Sequence, residues 1–244
     1  MTGRVTSERS LGSVQAVRPL LAKIGDSELA LDVVRLAAET RLALDDDNEH
    51  DSLLFAFEGS GSLMIGEDTH ALAAQAAALV AAGEQFSLEA GRDGLAVLRT
   101  TVGPGAELHA PLGPRDAVVR LSDAASDRAT GARSFEVLLG PHNGCTRATL
   151  FVGHVPPGRA PWHYHLYDEI VWIPDGLGRL HLGSDVEELE PGTAFRLRPR
   201  EVHVVENASD ETDMALVGVF TPAGSPSAAY LTAEVASEYR FTGG

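Results

Sequence analysis

Short apolar runs cut off by Gly, Pro, Asn or Asp recur along most of this chain. In the second half they read SFEVLLG, TRATLFVGHV, EIVWIP, GRLHLG, AFRLRP, VHVVEN and MALVGVF; in the first, ELALDVVRLA, LLFAFEG, GSLMIG, QFSLEA and LAVLRTTV. Runs of this length, punctuated by turn formers, predict strands, and many of them in succession predict an all-β sandwich or barrel. One stretch pulls the other way. Residues 71–82, ALAAQAAALVAA, read as helix by intrinsic propensity alone.

An internal repeat decides that conflict. Residues 59–90 and 176–207 align without a gap at an offset of 117, and their identities include Gly59 with Gly176, Gly61 with Gly178, Gly66 with Gly183, Asp68 with Asp185 and Glu84 with Glu201. Three of these pairs are glycines, the residues that demanding backbone turns require. The alignment lays Ala73-Ala74-Gln75 on the turn Glu190-Pro191-Gly192, so the alanine run is expected to be a turn followed by a strand. The stretch from 103 to 133 is rich in Pro, Gly, Asp and Ser around one apolar run, AVVRL, and reads as a connection. The expected division is an N-terminal barrel over 1–112, a linker with a possible strand over 113–132, and a C-terminal barrel over 133–244.

The candidate chemistry lies in the second copy. In GRAPWHYHLYDEIVWIPDG, His163 and His165 are two residues apart, a spacing that puts both imidazoles on one face of a strand. Glu169 follows after a short reversal, and His203 arrives from a later strand in PREVHVVEN. Three neutral imidazoles and a carboxylate suit a divalent ion of borderline softness, bound at about 2.0–2.2 Å. A lone H-x-H is more often a pair of surface or core histidines. The glutamate, the third histidine and the flanking glycines turn the balance toward a metal site.

These residues resemble the two signature motifs of the cupin superfamily: G, four or five residues, H-x-H, three or four residues, E, six residues, G; then G, five residues, P-x-G-x-x-H-x-x-x-N. Gly158, His163, His165, Glu169 and Gly176 match the first, and Gly192, His203 and Asn207 match the second. Pro199 sits one residue closer to the histidine than the motif has it, and Arg200 stands at the customary glycine. The resemblance implies two tandem double-stranded β-helix (jelly-roll) barrels and one metal ion on His163, His165, Glu169 and His203. Iron(II) is favoured, with manganese, nickel, cobalt or zinc as alternatives. Subtracting the offset from the four ligands gives Asp46, Asn48, Ser52 and Phe86, so the first copy is expected to have lost the site.

The activity so implied is that of a metal-dependent enzyme, a dioxygenase acting on an enolisable or aromatic carbonyl compound, with Glu169 also exchanging a proton with substrate. The same ligand set serves non-redox isomerases, decarboxylases, cyclases and aminohydrolases, and a non-catalytic small-ligand-binding cupin is the alternative of another class. Of the nearby side chains, Tyr164 is expected to point away from the metal. Tyr167 and Trp162 are open between aromatic wall and packing, while Trp172 reads as core or seam. Arg196 and Arg198 alternate with Phe195 and Leu197, so the apolar pair is expected inside. His181 reads as a surface residue.

Composition narrows the partners. Thirty-five acidic residues against nineteen basic ones give a net charge of −16, which repels nucleic acid and anionic lipid heads. No apolar run is long enough for a membrane helix, and MTGRVTSERS lacks an apolar signal core, so a cytoplasmic protein is expected. Cys145, the single cysteine, reads as a buried inert thiol. The expected partners are a small-molecule substrate and at most a second copy of the chain, since the two barrels can pack as a pseudo-dimer.

Overall fold

The computed structural model describes residues 5–7, 16–21, 27–44, 48–129 and 132–231. Among them the chain is β structure and loops, with two single-turn 3-10 helices and no α-helix. The first half contains β1 (Val5–Ser7), β2 (Ala16–Leu21), β3 (Leu29–Leu36), β4 (Arg41–Leu44) and β5 (Asp51–Ile65). It continues through β6 (Asp68–Ala73), β7 (Ala76–Val80), β8 (Phe86–Val102) and β9 (Val118–Arg120). β10 (Ser126–Arg128), β11 (Ser134–Leu139), β12 (Thr149–Val155), β13 (Gly158–Arg159), β14 (His163–Tyr164) and β15 (Asp168–Asp175) follow. The described chain ends with β16 (Gly178–Leu182), β17 (Asp185–Leu189), β18 (Thr193–Leu197), β19 (Val204–Asn207), β20 (Met214–Thr221) and β21 (Tyr230–Leu231).

All pairings are antiparallel. The first barrel is one sheet in the order β2-β3-β8-β5-β7-β9, with β4 on β8 and β6 on β5. The second is a seven-stranded sheet, β1-β18-β15-β20-β12-β11-β10, against a four-stranded one, β13-β19-β16-β17. The fold is therefore two cupin barrels in tandem. Two segments have instructive partners. AVVRL supplies β9, which pairs with β7 of the first barrel, while β1, near the start of the chain, pairs with β18 of the second.

The repeat is visible in the backbone. Gly59 and Gly176 both take positive φ, 74° and 94°, as do Gly66 and Gly183 at 57° and 63°. A Cβ on Gly61 would lie 2.1 Å from Glu89 O, and one on Gly178 would lie 2.4 Å from Glu206 O, the same clash at the same offset. The alanine run forms the end of β6, a turn and β7, as the repeat predicts. At that turn Gln75 (φ 66°) stands where Gly192 (φ 87°) stands later. Their amides donate to Ala56 O at 2.7 Å and Ile173 O at 2.8 Å. Helix propensity is overridden because β7 is buried on both faces.

Strand alternation sorts each residue into one of three cores. Leu54, Leu63, Leu72, Phe86, Leu88 and Val97 fill the first barrel, and Phe151, Val171, Ile173, Phe195, Leu197 and Phe220 line the second. Between them lies a shared seam, where Leu53, Phe55 and Leu98 of the first half meet Ile170, Trp172, Val217 and Val219 of the second. Cys145 is buried in this seam, and burial pushes its thiol up to about 12, as expected of an inert thiol. No helix among the described residues is long and apolar enough to cross a membrane.

Candidate metal centre

Two short backbone contacts assemble the site. His163 N donates to His203 O at 3.2 Å and His203 N returns the bond to His163 O at 2.9 Å, stitching the two motif segments together. The turn before His203 is held by Arg200 N, which donates to His165 O at 2.6 Å. Arg200 takes the left-handed conformation, φ 64°, so the position that departs from the motif keeps the glycine-like backbone. His163, His165 and His203 are all buried, and their ligand nitrogens lie within 4.8 Å of one another. Among the described residues, no other group of His, Cys, Asp or Glu converges in this way.

Glu169 borders the same cavity from β15 but stands outside that tight set. Its Oε2 is 3.4 Å from His165 Nε2. Room for it depends on Gly218 of β20, where a Cβ would come within 3.0 Å of Glu169 Oε1 and 2.3 Å of the Phe151 ring. The structure thus brings the four sequence-predicted residues to one cavity, three as a compact donor cluster and the fourth beside it.

The donor chemistry fits a cation. His163 Nδ1 meets Pro161 O at 2.9 Å and His203 Nδ1 meets Glu201 O at 2.8 Å. A carbonyl only accepts, so both rings carry their proton on Nδ1 and present a bare Nε2. Burial, the neighbouring imidazoles and the charge of Arg133 hold His163 down to about 3 and His165 to about 2; burial foremost holds His203 to about 4. All three are neutral at physiological pH, as metal ligands must be. His165 Nδ1 is buried with no hydrogen-bond partner among the described residues. Burial also pushes the Glu169 carboxyl up to about 8, against the opposing charge of Arg133. Desolvation thus outweighs the stabilisation that Arg133 gives the ionised form.

The cavity is about 70 Å³, walled by Phe135, Phe151, Val171, Leu197 and Val205. Tyr167 closes one side, stacked on His165 at 4.3 Å and on Phe220 at 4.0 Å. Its hydroxyl donates to Pro226 O at 3.4 Å, and burial keeps the phenol protonated. Pro226 and Ala229, from the segment leading to β21, also line the cavity, and β21 pairs with β14 at the ligand strand. The C-terminal stretch beyond residue 231 lies outside the described residues.

The remaining candidates divide cleanly. Tyr164 stacks on Tyr230 at 5.4 Å and does not line the cavity. Trp172 packs on Phe57 at 4.8 Å in the seam, and Trp162 lies under Arg159 and beside His181. His181 pairs with Glu206 at 2.5 Å and takes no part in the cavity. Phe195 and Leu197 face inward, as the alternation predicts. Arg196 turns outward and clamps Asp168 with two bonds of 2.7 and 2.8 Å, while Arg198 is exposed. Sequence reasoning missed Arg133, which lines the cavity from just before β11. A single arginine in a Gly- and Asp-rich stretch carries no periodic or motif signal.

In the first barrel the described equivalents of the site form no donor cluster. Phe86 and Ser52 are buried, Phe86 among apolar side chains, and Ser52 Oγ accepts from Arg99 Nε at 3.0 Å. Asn48 is exposed, and Asp46 lies outside the described residues.

Residues 151–220, which carry the three histidines and Glu169, match the family model of the cupin domain. Among solved structures the chain is similar to Bacillus subtilis oxalate decarboxylase, at a TM-score of 0.76 and 14% identity over 98% of this chain and 82% of that one. It also resembles Lactobacillus farciminis oxalate decarboxylase in a formate complex, at TM-score 0.73 and 11% identity over 98% and 91% of the two chains. A cupin 2 conserved barrel domain protein from Leptotrichia buccalis matches at TM-score 0.60 and 15% identity, over 88% and 92%. No curated protein matches the chain significantly.

Proposed function

We propose that this chain is a metal-dependent enzyme of the cupin type, acting on a small carbonyl or carboxyl compound at one divalent ion held by His163, His165 and His203, with Glu169 beside it. The observation that carries the reading is the buried cluster of three neutral imidazoles within 4.8 Å, which opens on a cavity and leaves His165 Nδ1 unsatisfied. When bound, the ion supplies Lewis acidity toward a carbonyl oxygen and, if it is iron(II), one-electron chemistry with dioxygen.

The protein's own groups supply the rest. Backbone carbonyls at Pro161 and Glu201 fix the tautomers of two ligands. Apolar side chains wall much of the cavity, and Glu169, raised to about 8, can hold or release a proton near neutrality. A dioxygenase acting on an enolised carbonyl uses all of these features. A non-redox decarboxylase or isomerase is the second reading, supported by the likeness to the Bacillus oxalate decarboxylase, which is described with Mn(II) centres.

Elemental analysis of protein purified without added metal, followed by oxygen uptake with small enolisable carbonyl compounds, tests both. About one ion per chain is expected. His163→Ala and His203→Ala should lose it while keeping the wild-type circular dichroism spectrum. Iron with oxygen consumption favours the dioxygenase, and manganese or zinc without it favours the non-redox reading. Wild-type metal content in both variants would refute the site.

A further inference from the structure

The three imidazoles are not held in the same way. Backbone carbonyls at Pro161 and Glu201 accept from Nδ1 of His163 and His203, and each fixes one edge of its ring. His165 has no such acceptor, since its buried Nδ1 has no hydrogen-bond partner among the described residues. Its Nε2 is 3.4 Å from Glu169 Oε2, too long for a bond that would orient the ring. What the ring does have is a face-to-face neighbour. The Tyr167 phenol lies nearly parallel to it, 4.3 Å away between centroids and inclined by 14°.

Tyr167 is itself fixed. Phe220 also stacks on it, at 4.0 Å and 21°, and two rings cannot share one face at these distances, so the phenol is sandwiched between Phe220 and His165. Phe220 is fully buried and meets Phe151 edge-on at 6.0 Å, and Phe151 meets Phe135 at 6.2 Å. An aromatic column thus runs from the core of the second barrel to the one histidine of the cluster that no side-chain hydrogen bond anchors. We infer that Tyr167 is a positioning residue: its ring, rather than its hydroxyl, holds the His165 imidazole in the plane from which it joins the other two. The purpose of that orientation rests on the metal-centred reading above, to which Tyr167 adds the means of securing the third ligand.

Tyr167→Phe keeps the stack and loses the hydroxyl, whereas Tyr167→Leu loses the stack. In metal-free protein carrying carbon-13 histidine, NMR relaxation should find the His165 ring as ordered as those of His163 and His203 in the wild type and in Tyr167→Phe. In Tyr167→Leu, His165 alone should become mobile. After loading with cobalt(II), Tyr167→Phe should keep the wild-type affinity and visible absorption bands, while Tyr167→Leu should bind roughly tenfold more weakly with altered bands. Leu189→Ala, which opens the same core without lining the cavity, should leave both readouts unchanged and so separates orientation from general destabilisation. Tyr167→Met, an unbranched gap-filler, takes the place of Tyr167→Leu if circular dichroism shows the latter unfolded. An ordered His165 ring or unaltered cobalt binding in Tyr167→Leu, or an equal loss in Tyr167→Phe, would overturn the inference. A wild type that takes up no cobalt while Tyr167→Leu still frees the His165 ring would refute the metal centre and uphold the positioning role.

Discussion

Gly218 occupies a point where no side chain fits, with the Phe151 ring and Glu169 Oε1 both inside the reach of a Cβ. Gly218→Ala is therefore expected to cost about 1–3 kcal/mol, read as a lower urea midpoint, and to weaken metal retention by displacing Glu169. Single residues also mark the limits of sequence reading. The histidines were legible because spacing on a strand fixes a shared face, and Glu169 because its offset from them fits a short reversal. Arg200 stood as a departure from the motif, yet its φ of 64° shows that the turn tolerates a side chain at the glycine position. Arg133 lines the cavity but carries no motif or periodic signal in the sequence.

At the scale of elements, β15 is anchored just before Glu169. Asp168 accepts two bonds from Arg196 of β18 and a third, at 2.7 Å, from Ser27 Oγ ahead of β3. Asp168→Asn removes the carboxylate that Arg196 clamps and is expected to cost about 3 kcal/mol, whereas Ser27→Ala should cost about 1 kcal/mol. Denaturant midpoints of the single and double variants measure both. A second polar anchor lies after β7, where Arg115 donates to both Glu84 oxygens at 2.6 and 2.7 Å. Bonding to Arg115 holds the Glu84 carboxyl below its ordinary range. A depressed carboxyl stabilises the fold above its unfolded pKa and loses that contribution as the pH falls through its folded value. Glu84→Gln is thus expected to lower stability by about 1 kcal/mol at neutral pH and by almost nothing in acid, as pH-dependent unfolding curves would record. The strands themselves were legible from their turn residues. The alanine run was readable only through the repeat, because the burial that overrides helix propensity is not a local property.

For the whole molecule, cation binding and folding are linked. Manganese at a hundred times its dissociation constant should add about 2.7 kcal/mol to unfolding stability, seen as a higher melting temperature than in chelator and absent in His203→Ala. The seam links the halves just as firmly. Ile170, Trp172, Val217 and Val219 form the outer face of the second barrel and are dry only because the first barrel covers them. Ser27 and β1 reach across as well, one to Asp168 and the other to the edge of β18. A gene trimmed to the histidine-bearing portion would therefore encode a protein with a bare greasy flank and a missing edge strand. Such a fragment should precipitate on expression, and adding the other portion in trans, as a separate polypeptide, should return it to solution.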